Sequence, residues 1–89
     1  MTEFEIIQWH DARKEKPNEF HTVIICGHEE WENELFPPSY FIDWAIYKPE
    51  EANQNIYNVD GFEFTNDWYE GQKIEIWAWT YPPKNPFTD

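Results

Sequence analysis

Apolar and polar residues alternate with a period of two along much of this chain, which marks strands and not helices. In residues 3–9, Glu-Phe-Glu-Ile-Ile-Gln-Trp, Phe4 and Ile6 share one side, and this predicts an edge strand. Residues 20–26, Phe-His-Thr-Val-Ile-Ile-Cys, are β-branched and almost continuously apolar, as in a central strand covered on both faces, and Gly27 reads as its stop. Residues 39–48 form a further strand, with Tyr40, Ile42, Trp44 and Ile46 on one face and Phe41, Asp43, Ala45 and Tyr47 on the other. In residues 73–80, Ile74, Ile76 and Ala78 alternate with Glu75, Trp77 and Trp79. That spacing predicts Trp77 and Trp79 on one face, with Trp44 and at least one of these two in the core.

Between the strands the turn chemistry is explicit. Ile56-Tyr57-Asn58-Val59 and Phe62-Glu63-Phe64-Thr65 flank Asp60-Gly61, the preferred pair for a type I′ hairpin turn. The charged stretch from His10 to Asn18 reads as a loop or one helical turn, and residues 49–55, opening on Pro49, as a second. Residues 28–38 and 66–72 read as loops, and the prolines at 82, 83 and 86 end regular structure in a tail spanning 82–89. The expectation is one domain over residues 1–89, α+β or mainly β. It has a four- to five-stranded, largely antiparallel sheet and at most one or two short helices, near 11–16 or 49–55.

Composition sharpens this picture. Six Lys plus Arg against eighteen Asp plus Glu leave a formal charge of −12, a pattern that often means disorder. Here one residue in five is aromatic, and each buried ring removes roughly 150–250 Å² from water, so a folded core is expected. No apolar run approaches the ~18 residues of a membrane span, and no secretory leader is visible. The single cysteine, Cys26, cannot form an internal disulfide and fits a reducing, cytoplasmic setting. The charge opposes direct contact with nucleic acid or an anionic membrane.

Individual residues offer several chemistries. Cys26 and His28, two apart, share a face and with His10 and Asp11 offer metal donors, but no paired short-spaced ligand set accompanies them. Asp60, Glu63 and Asp67 lack the spacing of a calcium loop. Cys26 with His28 or His21 is a formal nucleophile–base pair, yet the thiol lies in an apolar run typical of inert cysteines. The three glycines are isolated and build no phosphate loop. No catalytic residue, metal or cofactor is therefore expected.

The two ends of the chain carry a resemblance. Trp9, a short charged stretch, Pro17 and the strand Val23-Ile24-Ile25 form one half. Ile74-Glu75-Ile76-Trp77-Ala78-Trp79 running into Tyr81-Pro82-Pro83-Lys84-Asn85-Pro86 forms the other. Together they resemble a family of short, uncharacterised domains encoded by phages and prophages. This chain has Lys16-Pro17 where that family has Leu-Pro, and Ile76 where a histidine commonly precedes the final Trp. The resemblance implies a small β-rich fold in a mobile-element setting and assigns no catalytic residues.

From Glu29 to Glu75 twelve carboxylates face two lysines, a local charge of −10. Carboxylates on a rigid frame can occupy a Lys/Arg groove in place of phosphates, with aromatic anchors filling apolar pockets. The expected function is that of an acidic phage accessory protein acting by binding, an anti-CRISPR or anti-restriction inhibitor. It would occlude the basic nucleic-acid-binding surface of a host nuclease complex. The candidate contact residues are Glu29, Glu30, Glu32, Glu34, Asp43, Glu50 and Glu51, with Trp31 as anchor. The alternatives are an oligomerising phage module burying Trp31 and Trp68, in which the partner is a homo-oligomer, and a small metal protein or enzyme using Cys26.

Overall fold

The computed structural model of the protein describes residues 8–31, 37–65 and 72–83. Six strands form one sheet: β1 (His10–Asp11), β2 (Thr22–Trp31), β3 (Ser39–Tyr47), β4 (Asn58–Val59), β5 (Phe62–Phe64) and β6 (Gln72–Thr80). Their spatial order is β1-β6-β2-β3-β5-β4, and every pairing is antiparallel. The fold is thus mainly β. The described helical structure is a single 3-10 turn, Pro49–Glu51, with the proline in its first position. The strand expected at residues 3–9 and the tail beyond 83 lie largely outside the described residues, as does the loop at 66–70 with Trp68 and Tyr69.

β2 is central, as its composition predicts, but it does not stop at Gly27. It runs on to Trp31, which places Glu29 and Glu30 on a strand and not in a loop. Gly27 lies where the β2–β6 register shifts, between Cys26 and Gly27. Cys26 stands opposite Ala78 and Gly27 opposite Ile76, so Trp77 is the extra residue of a β-bulge. A Cβ on Gly27 would collide with the Glu75 carbonyl oxygen and crowd the Phe41 ring at 3.1 Å. The glycine therefore admits the bulged strand.

One face of the sheet is the core. Val23 and Ile25 of β2, Ala45 and Tyr47 of β3, Phe62 and Phe64 of β5, and Ile76 and Trp79 of β6 bury there with Ala12. The segment between β1 and β2 crosses this face. Trp79 donates its indole N–H to the Glu15 carbonyl (2.8 Å), and the Lys16 ammonium sits 5.8 Å from the Phe62 ring centre. The segment is pinned at its start by an Asp11 turn, whose carbonyl accepts from the N–H groups of Lys14 and Glu15. Tyr81 reaches back to it, its hydroxyl accepting from the Asn18 N–H at 2.8 Å.

The β4–β5 hairpin turns as its sequence predicts. Asp60 and Gly61 have φ of 54° and 97°, the two positive values of a type I′ turn. Buried Asn58 ties the hairpin to its surroundings. Its Oδ1 accepts from the N–H groups of Gly61 (2.9 Å) and Asn53 (3.3 Å), while Nδ2 donates to the Lys48 carbonyl (3.2 Å).

Candidate protein-binding surfaces

Six of the eight residues expected to contact a partner are described; Glu32 and Glu34 lie outside the described residues. The six fall into groups set by the strand pair β2–β3. Glu29, Glu30 and Trp31 end β2, and the Glu29 carboxylate accepts from the Ser39 hydroxyl at 2.9 Å. Glu50 and Glu51 occupy the 3-10 turn beyond the other end of β3. Nine residues of β3 separate these ends, roughly 27 Å at the rise of a strand. Asp43 belongs to neither group. It pairs with buried Ile25 on the core side of the sheet, and its carboxylate accepts from the Trp44 N–H at 2.7 Å. The described candidate carboxylates other than Asp43 are thus displayed at the two ends of the β2–β3 ribbon.

Part of this charge is matched locally. The Lys48 ammonium lies 2.7 Å from Glu63 and 3.9 Å from Glu51. The hydrogen bond from Lys48 lowers the Glu63 pKa below the usual carboxylate range, and the same bond raises that of Lys48. On the opposite side of the fold, Arg13 approaches Asp11 at 3.7 Å and His10 contacts Glu15 at 2.6 Å. Glu30 and Glu50 point into solvent.

The second surface is the sheet face opposite the core. Ile24, Cys26 and His28 of β2 stand beside Tyr40, Ile42, Trp44 and Ile46 of β3, and Trp77 of β6 joins them. Tyr40 is 76% exposed, Ile42 71%, Trp44 47% and Trp77 40%. Trp44 is therefore not a core residue, and β2 is closed on one side only. Nor do Trp77 and Trp79 share a face. The bulge adds one residue, so that Ile76 and Trp79, three apart, both point into the core while Trp77 turns outward. Trp79 is 3% exposed and stacks on His10 at 4.5 Å. Trp77 stacks on His28 at 5.8 Å and meets Tyr40 edge-on at 5.4 Å. Beside these rings lies a shallow hollow of about 360 Å³, lined by Cys26, Gly27, Tyr40, Phe41, Ile42 and Trp77.

Cys26 and His28 do share this face, as their spacing predicts, but the His28 ring is packed between Trp77 and Tyr40. Burial pushes the Cys26 thiol above its ordinary pKa, and a hydrogen bond with the Ala78 backbone acts the other way. A raised thiol pKa disfavours the thiolate that nucleophilic or metal chemistry needs. Among the described residues no group of three or more His, Cys, Asp or Glu could hold a metal ion, and no helix is long and apolar enough to cross a membrane.

Sequence reasoning grouped Tyr40, Ile42, Trp44 and Ile46 correctly but expected Trp44 in the core. The signal that could have separated the two faces of β3 is residue size on the strand's other side. Phe41, Ala45 and Tyr47 fit against the small Gly27 and the aromatic Phe64 and Phe62. Compared with known protein families, curated proteins and solved structures, the chain matches none.

Proposed function

We propose that this protein acts by binding and not by catalysis, as a small acidic accessory protein of a phage working in the cytoplasm of the host cell. Its target is a host complex that handles nucleic acid, such as a CRISPR effector or a restriction enzyme. The mode is occlusion of the basic surface that DNA or guide RNA would otherwise contact. The supporting observation is the display of carboxylates at both ends of the β2–β3 ribbon in a chain with three times as many acidic as basic residues. A cationic groove meeting such a ribbon releases counterions, as it does on binding phosphates. The phage setting rests on the resemblance at the two ends of the chain.

The test is capture of a nucleic-acid-binding protein from host extract on the immobilised chain, with elution by graded salt and by excess duplex DNA or structured RNA. A partner released by rising salt and by nucleic acid supports the proposal. Retention of the partner under both treatments overturns it. Glu29→Gln with Glu30→Gln, and Glu50→Gln with Glu51→Gln, are expected to reduce capture at low salt and to flatten its salt dependence.

A further inference from the structure

We propose that the open face of β2, β3 and β6 is a self-association surface, buried against the same face of a second copy of this chain. The inference is independent of the function proposed above, because it uses a different surface and a different force.

Area is the first argument. Tyr40, Ile42, Trp44 and Trp77 together leave on the order of 450–500 Å² in water, taking about 200 Å² as the full size of a large side chain. The half-buried Ile24, Cys26, His28 and Ile46 surround them. The whole face comes to roughly 500–800 Å², at or above the upper end of the ~300–600 Å² patch that a monomer usually leaves bare and near the ~800 Å² that each partner contributes to a standard interface.

Charge is the second. On this face the described charged side chains are Glu30, Lys73 and Glu75 at one end, the Lys48–Glu63 pair at the other, and Asp11 on the β1 edge, where Arg13 approaches it at 3.7 Å. Four carboxylates against two lysines and Arg13 leave a formal −1 around a face of a chain carrying −12. The carboxylates avoid the centre of the sheet. A cationic partner finds little there to pair with, whereas a second copy meets no concentrated like charge. Two sheets can stack this way at about 10 Å with their side chains interdigitated.

Shape and order complete the argument. Tyr40, His28 and Trp77 already hold one another in a packed ring cluster, so little side-chain freedom is lost on docking. Trp44 stands next to the hollow without lining it. In a two-fold arrangement the Trp44 of each copy enters the hollow of the other, and the contact closes on itself as a dimer.

Sedimentation equilibrium tests this directly. At about 0.1 mM protein, a concentration that populates even a dimer of modest affinity, the expected mass is twice that of the 10.9 kDa chain. Association should tighten from about 0.05 M to about 0.5 M salt, because screening removes the repulsion between two acidic chains. That direction is opposite to the one expected for a cationic partner, so the two proposals fail separately. Ile42→Glu and Trp44→Lys, both at exposed positions, should return the monomer mass, with a urea midpoint equal to that of wild type when both are diluted until wild type is also monomeric, while Ile56→Glu, exposed but off the sheet, should leave the dimer intact. A wild-type chain that stays monomeric at about 0.1 mM in high salt, or a dimer that survives both face variants, overturns the proposal. So does an Ile42→Glu midpoint below that of wild type at such dilution, where dimerisation contributes nothing, since the face is then covered by the chain itself.

Discussion

Asn58 is the most informative single position for the stability of this fold. It is 2% exposed, and its amide satisfies the N–H groups of Gly61 and Asn53 and the carbonyl of Lys48. With two N–H groups facing one atom, that atom must be the oxygen, so the amide orientation is fixed by its neighbours. Asn58→Ala leaves the buried Gly61 N–H without its partner, at a cost of about 1–3 kcal/mol, and weakens two partly exposed contacts. A total of about 2–4 kcal/mol follows, a large share of the 5–15 kcal/mol typical of whole domains. Asn58→Asp tests the reasoning more sharply. The carboxylate keeps both acceptor contacts but loses the donor to Lys48 and places a charge in a buried site. Burial and the facing Lys48 carbonyl disfavour the charge and oppose the two N–H contacts that favour it; with the site closed to water the former are expected to win and hold the folded-state pKa above the ordinary ~3.9. A raised folded pKa means the variant is penalised least in acid, and the penalty grows as pH rises above the unfolded value. Urea titrations followed by Trp fluorescence at several pH values measure this. A loss below about 0.5 kcal/mol for Asn58→Ala, well under the range for a buried orphaned group, or an Asn58→Asp penalty independent of pH, would refute the argument.

Three further outcomes are expected. Gly27→Ala should cost about 2 kcal/mol or more by urea denaturation, because the new methyl meets the rigid Glu75 backbone and an ordinary strand position would tolerate it. The Lys48–Glu63 pair should contribute stability at neutral pH. Glu63, with its pKa lowered, loses its share as pH falls through the carboxylate range, and Lys48, with its pKa raised, loses its share only at strongly alkaline pH. Comparing wild type with Lys48→Met across pH checks this, and a difference that persists unchanged in acid contradicts it. Cys26 should react with a disulfide reagent more slowly in the folded protein than in urea, since burial disfavours its thiolate; equal rates would contradict this.

The strands and the hairpin turn were legible because their signals are local. Alternation over Tyr40–Tyr47 and the Asp60-Gly61 pair each depend on residues within a few positions of one another. The bulge was not legible, because an extra residue in β6 acquires meaning only against β2. Its consequences were missed with it: Gly27 read as a terminator, and Trp77 and Trp79 as companions. The burial of Trp44 was misjudged for a related reason. Periodicity shows that a strand has two faces but not which of them another layer covers. Aromatic content signalled a core correctly, through Trp79, Phe62 and Phe64, and also supplied the exposed rings of the other face. The acidic character was plain from composition, but its division between two ends of a ribbon follows from the length of β3, which composition does not encode.

The position of β6 governs when this fold can exist at all. It lies between β1 and β2, pairing Ile25 with Trp79 across a stretch of about 50 residues, and such long-range closure is slow. During synthesis on the ribosome, β2 and β3 can meet early, but one flank of β2 stays bare until residues 72–80 leave the exit tunnel. The nascent chain is therefore exposed to misassociation late, and a premature stop before Trp79 would yield a species for proteolysis and not a smaller working protein.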